Sequence, residues 1–285
     1  MIAIVAPMMV EMTPLRDRME VSEAAEEGGL HFLVGRLAGR RAVLLCSGVG
    51  KVNAARAAQF LVDRFSPSHL ILCGIAGALS EELAPGDVVV ARELLFHDVG
   101  LLFSEGRFVP TGASFLNDGG EVLYRRSLKV DEGLVAMALG AAGAIASADE
   151  GESFRVVAGA VATGDQAVFC SAKKASLRDD QGAIAVEMEG AALAQVAWAC
   201  GVPFMVIRSV SDLADETVGL ELSWMIRYAD DDLGASTGRM AQAARGFLGK
   251  PGRLARALRL RRDVKLAAGN AAKATMALVA ELPGG

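Results

Sequence analysis

With 285 residues, 52% of them hydrophobic and 22% charged, the chain has ordinary globular composition and enough length for one large domain with its own core. A net charge of −5 gives no overall pull toward nucleic acid or an acidic membrane, so neither is expected as a general partner. Four widely spaced cysteines without a CxxC pair, and a start lacking a basic segment, point to a reduced cytoplasmic protein.

In chain order, the apolar run at 2–6 predicts a strand buried on both faces, followed by a helix over about 10–20. Two strands are expected at 31–37 and 42–46, separated by Gly39-Arg40. Ser47-Gly48-Val49-Gly50 leads tightly into a helix over 51–65. A strand at 69–73 runs into the Gly-rich loop 74–78, and Pro85-Gly86-Asp87 turns into a strand at 88–96. Residues 97–124 read as a long irregular segment with Phe103, Phe108 and Phe115, a length that usually serves binding. A helix at 131–148, too short for a bilayer span of roughly 20 residues, is followed by a strand at 155–163 and a short helix at 171–178. A strand at 183–186, a helix at 189–200, a strand at 204–210 and a helix over about 222–248 complete the body. This alternation predicts a single α/β domain with a central mixed, twisted sheet covered by helices on both sides. Lys250-Pro251-Gly252 is the expected boundary between a catalytic domain, 1–248, and a C-terminal helical extension, 249–285.

Common chemistries drop out first. Three histidines, no HExxH and no paired cysteines give no zinc site, and no GxSxG elbow or GxGxxG is present. Ser47–Lys51 fails the phosphate-loop pattern, with Leu45 and Val52 at key positions. No metal or organic cofactor is therefore expected. The informative stretch is Val186-Glu187-Met188-Glu189-Gly190, where a buried strand becomes a helix. Taken alone, Glu189 is a helix-start acid favoured by the macrodipole. However, Arg208-Ser209-Val210-Ser211-Asp212 ends the next strand, and Glu11 follows the first. Three carboxylates and an arginine at one sheet edge are costly unless they partner each other or a ligand.

Together, Met8-Met9-Val10-Glu11, Val186–Glu189 and Arg208–Asp212 resemble the 5′-methylthioadenosine/S-adenosylhomocysteine nucleosidases, within the purine and uridine phosphorylase superfamily. Ser47–Lys51, Gly74–Ala78 and Pro85-Gly86-Asp87 agree, so the resemblance covers 1 to about 248. It implies cleavage of an N-glycosidic bond through an oxocarbenium-like ribosyl cation. By this resemblance Asp212 is the general acid at adenine N7, with Ser211 orienting it. Glu11 holds and deprotonates the water, with Arg208 helping. Glu189 grips the ribose hydroxyls, and Met188 and Glu187 flank the sugar. Val168 and Phe169 belong to the adenine segment, Ile75 to the nucleophile side, and Met8, Val49 and Trp224 to the apolar 5′ side. It also implies a homodimer in which the Phe103–Pro110 loop completes the neighbouring pocket.

Two positions depart from the family's pattern. Ala167 stands where an aromatic is expected, and Ile75 replaces a small hydroxyl residue. They leave the 5′ group open, with futalosine hydrolases as an alternative. A phosphorylase remains the other alternative, but Glu11 in the first loop would repel phosphate, which favours water. In the tail, Arg253, Arg256, Arg259, Arg261, Arg262 and Lys265 alternate with Leu254, Leu258, Leu260 and Val264. That pattern suits a helix packed on the domain, or one contacting an anionic membrane surface.

Overall fold

The computed structural model describes residues 1–116, 119–148, 154–212 and 251–283, with side chains of 251–257 left aside. The expected helix at 222–248 and Trp224 lie outside the described residues. Along the chain come β1 (Ile2–Ala6), α1 (Met9–Arg16), β2 (Glu20–Glu27), β3 (Leu30–Leu37), β4 (Arg40–Cys46), α2 (Lys51–Phe65), β5 (His69–Ala78) and β6 (Val88–Phe96). β7 (Gly100–Leu102), β8 (Phe108–Pro110), β9 (Ala113–Leu116), β10 (Val122–Arg125), β11 (Leu128–Lys129), α3 (Glu132–Ala148) and β12 (Val156–Thr163) follow. Then come α4 (Ser171–Asp179), β13 (Ala183–Glu187), α5 (Gly190–Ala199), β14 (Phe204–Asp212) and α6 (Pro251–Glu281).

The fold is a single α/β unit around one mixed sheet, as the alternation predicts. β1 lies parallel between β4 and β5, which explains its five uninterrupted apolar residues, all buried. β5 is the pivot. Its first half pairs with β1, its last residues pair antiparallel with β13, and its other edge carries β14 along most of its length. β14 pairs in turn with β6, β6 with β12 and β12 with β13, so β5, β14, β6, β12 and β13 close into a ring. β4, β3 and β2 extend the sheet beyond β1.

Three expectations needed correction. The Gly-rich segment after Cys73 is strand, because β5 must continue to Ala78 to reach β13. Residues 20–27 form β2, whose alternation is masked by four glutamates. As an outer strand with exposed charge, it resists edge-to-edge pairing with other chains. Residues 97–124 carry two small hairpin sheets, β7/β8 and β9/β10.

The C-terminal helix also needs a different description. In α6 the residues Ala267, Ala268, Ala271, Ala272, Ala274, Leu278 and Val279 are fully or almost fully buried, most of them in the same core as the sheet. Asn270 donates to the Gly86 carbonyl at 2.9 Å, a carbonyl shared with the Ser209 hydroxyl at 3.1 Å. Alanine's small side chain lets the helix approach β14, β5, α1 and α3 closely, so this half of α6 belongs to the domain and is no appendage. Among the described residues no helix is long and apolar enough to cross a membrane.

Candidate active site

At one end of the ring, the chain leaving β1, the end of β5, the loop after β12, the β13–α5 junction and the end of β14 surround a cavity of about 450 Å³. Met8, Glu11, Val49, Ile75, Val168, Phe169, Glu187, Met188, Glu189, Ser211 and Asp212 all line it. Arg208 sits directly behind, fully buried. The residues singled out from the sequence thus share one cavity, with Trp224 outside the described set. It missed Leu260 and Val264, two residues of α6 that line the same cavity, because the tail was read as separate.

The floor is a network of carboxylates around one guanidinium. Arg208 Nη2 donates to Glu187 Oε2 and, at 2.9 Å, to Glu189 Oε2, while Nη1 lies 3.7 Å from Glu11 Oε1. Among the described residues Nη1 and Nε make no hydrogen bond. Each carboxylate has further donors. Glu11 accepts from the Met8 amide at 2.7 Å and the Ile75 amide at 2.8 Å. Glu187 accepts from the Thr163 hydroxyl and from the amides of Glu189 (3.0 Å) and Gly190 (2.8 Å).

Glu189 is the N-cap residue of α5, yet its side chain caps nothing in that helix. The first amides of α5 go to Glu187 and to Thr163, whose hydroxyl accepts from the Ala191 amide at 2.8 Å. That frees Glu189 to take the Gly50 amide at 2.7 Å and Arg208. Glu189 thus stands at the helix start, but its carboxylate is engaged by partners outside that helix. Thr163 is a supporting residue that nothing in the sequence singled out.

Close approach makes Gly74 necessary: a Cβ there would collide with Arg208 Nη1 and Glu11 Oε1. Ile75 contributes its backbone amide, so losing a side-chain hydroxyl at that position leaves Glu11 oriented. Burial raises the Glu11 carboxyl to about 7, against the opposing pull of Arg208 and the Ile75 amide. Burial also raises Glu189, with Arg208 opposing and Glu187 adding to the rise. Arg208 remains protonated, because three carboxylates outweigh its own desolvation. The Ser211 hydroxyl donates to Asp212 Oδ2 at 2.7 Å, holding a half-buried carboxyl at the cavity wall.

The site can therefore offer a carboxyl pushed up to about 7, a second carboxyl fixed by a hydroxyl, and further carboxylates lining the same cavity. That arrangement suits proton transfer at two ends of a developing cation. Among the described residues no group of three or more His, Cys, Asp or Glu is placed to hold a metal ion.

Ring-shaped sheet and carboxylate-lined cavity together define the class. The model of the phosphorylase superfamily matches residues 1–248. A 5′-methylthioadenosine/S-adenosylhomocysteine nucleosidase of Bacillus thuringiensis is 38% identical over 215 residues, covering 75% of this chain and 86% of that protein. The chain belongs to the 5′-methylthioadenosine/S-adenosylhomocysteine nucleosidase family of that superfamily. The Neisseria meningitidis nucleosidase in complex with methylthio-immucillin-A superposes with a TM-score of 0.73, at 29% identity and over 99% of both chains. Futalosine hydrolase of Helicobacter pylori gives a TM-score of 0.71, at 25% identity over 99% of this chain and 97% of that one. Both superpositions extend past residue 248, as expected if α6 is part of the shared fold.

Proposed function

We propose that the protein hydrolyses the N-glycosidic bond of 5′-substituted adenine nucleosides, 5′-methylthioadenosine and S-adenosylhomocysteine, releasing adenine. The observation that carries this reading is Glu11, a buried carboxyl held by the Met8 and Ile75 amides and facing the Nη1 of Arg208 at 3.7 Å, where burial pushes it up to about 7. In this reading a water held between them loses a proton to Glu11 and its oxygen bonds to C1′. The bond from C1′ to adenine breaks, and Asp212 delivers the second proton to N7. Glu189 holds the ribose hydroxyls, and the carboxylates stabilise positive charge on the sugar ring. Met8, Val49, Leu260 and Val264 form the 5′ side.

Water is favoured over phosphate on a further ground. The amides at the start of α2 are already taken, Gly50 by Glu189 and Lys51 by Asp165 at 2.8 Å. A phosphate would have to displace carboxylates from the helix end that ordinarily attracts it. The test is adenine release from methylthioadenosine with and without phosphate, with the sugar identified by mass. Free methylthioribose at a phosphate-independent rate is expected, and methylthioribose 1-phosphate would reject hydrolysis. If adenine is released only from nucleosides with a larger 5′ group, the substrate assignment falls and the chemistry stands.

The same reading includes a homodimer and a cytoplasmic location. Leu101, Leu102, Phe103, Leu116 and Trp198 are exposed on or beside the 97–124 segment, an apolar surface suited to a second copy. All four cysteines are unpaired, as suits a reducing compartment. Membrane contact through α6 has less support. Leu260 and Val264 line the cavity, which among the described side chains leaves Leu258 as the exposed leucine beside Arg259, Arg261, Arg262 and Lys265.

A further inference from the structure

Outside the floor, two loops flank the cavity: 47–50, carrying Val49 and the Gly50 amide, and 164–169, carrying Val168 and Phe169. Neither is fixed by strand pairing at its tip. Both converge on the residues just after β6. Asp98 receives the Lys51 ammonium on both carboxylate oxygens at 2.8 Å, and Oδ2 also accepts from the Asp165 amide at 2.8 Å. Asp165 in turn accepts from the Lys51 amide at 2.8 Å, and its Oδ2 lies 3.6 Å from the Lys51 ammonium. One lysine and two aspartates thus join three segments that are far apart in sequence.

The surroundings make this joint stiff. Lys51 Nζ stands 5.6 Å from the centre of the Phe96 ring, and the side chains of Lys51 and Asp98 are mostly buried. Although burial pushes the Asp98 carboxyl up, the Lys51 and Asp165 hydrogen bonds outweigh it and hold the carboxyl below its ordinary range. Gly164 rests against the ring of buried His97, where a Cβ would collide, and the His97 carbonyl accepts from Lys173 at 3.1 Å. The loop is therefore seated from below by His97 and tied from the side by Asp98.

We propose that Lys51, Asp98 and Asp165 form a clasp that positions both pocket loops for the nucleoside, and so act as positioning residues in substrate capture. The argument rests on the nucleosidase reading of the pocket. Through Lys51 the clasp fixes the preceding residue, Gly50, whose amide orients Glu189. Through Asp165 it fixes the backbone that leads to Val168. When the clasp opens, the binding-competent arrangement becomes a minor population, and apparent affinity falls in proportion to that fraction. A bound nucleoside re-orders the loops, so turnover of the complex changes little. A purely structural joint would lower stability and leave the Michaelis constant unchanged.

The test is steady-state kinetics on methylthioadenosine, with adenine binding measured by calorimetry on the same preparations. Lys51→Met is expected to raise KM and weaken adenine binding about tenfold, as for a competent fraction reduced to about a tenth, with kcat within about threefold. Lys51→Arg keeps the charge and should restore KM to within about threefold of wild type, since the ion pair sets the population. Asp98→Asn should resemble Lys51→Met, and the double variant should be no worse than the worse single one, because both break the same joint. Should Lys51→Met fail to fold, Asp165→Ala at a half-exposed position gives the same readout. Unchanged KM and adenine affinity in these variants, or effects that multiply in the double variant, would overturn the clasp. If the wild type binds adenine but cleaves no adenine nucleoside, the nucleosidase reading fails, and the calorimetry still tests the clasp.

Discussion

The floor of the cavity and its 5′ wall are built on different principles. On the floor, Glu11, Glu187 and Glu189 each accept at least two hydrogen bonds, share Arg208, and are almost fully buried. On the wall, Met8, Val49, Leu260 and Val264 come from three segments and present apolar side chains with no charge among them. A charge network of this kind tolerates no single deletion, since each loss strands a buried charge. An apolar wall accepts exchanges of similar volume at small cost. The difference implies that, in the proposed mechanism, bond cleavage depends on the buried charge network and the choice of 5′ group on the wall.

The largest effect expected from breaking the floor is on stability. Arg208→Met leaves three carboxylates without their shared cation, and a loss of about 3–5 kcal/mol is expected. At this chain length that lowers the melting temperature by about 10 °C, read by thermal denaturation. Next in size, Glu11→Gln removes the proton acceptor and should reduce kcat about 10²–10⁴-fold.

The pH profile sharpens the same point. With the Glu11 carboxyl at about 7 and required as carboxylate, the acid limb of wild-type kcat/KM should fall about tenfold per unit below pH 7. Stability runs the other way. A carboxyl raised from its ordinary 4.5 to about 7 favours the folded state fully below pH 4.5, and that contribution is lost as the pH rises through 7. Melting curves of wild type and Glu11→Gln between pH 4.5 and 7 should therefore differ in slope.

The smallest effect belongs to the wall. Leu260→Ala should cost about 1–2 kcal/mol in transition-state binding of the methylthio substrate. A nucleoside with a bulkier 5′ group should lose less, so the ratio of the two kcat/KM values shifts about tenfold. An unchanged ratio would remove Leu260 from the 5′ side.

Legibility in the sequence follows the same division. β1, α2 and β6 were readable because buried strands and an amphipathic helix leave strong apolar patterns, and the carboxylate motifs through their resemblance to the nucleosidase family. In α2, for example, Ala54, Ala57, Ala58 and Leu61 form the buried face. β2 was hidden because a charged edge strand lacks apolar alternation. The strand through Gly74–Ala78 was hidden because glycine there serves the approach of Arg208 and Glu11, and reads locally as a turn. The Ala-rich half of α6 looked like an appendage because small residues chosen for close packing carry little hydrophobic contrast. The place of Leu260 and Val264 in the cavity depends on that long-range docking, which no local pattern records.

The measurement that tests the central claim most directly is Asp212→Asn, with turnover of methylthioadenosine and nucleoside affinity determined side by side. If Asp212 supplies the proton to adenine, adenine release falls at least about 10²-fold while affinity stays within about tenfold of wild type. Unimpaired turnover would contradict the account, because the acid would then have to come from elsewhere.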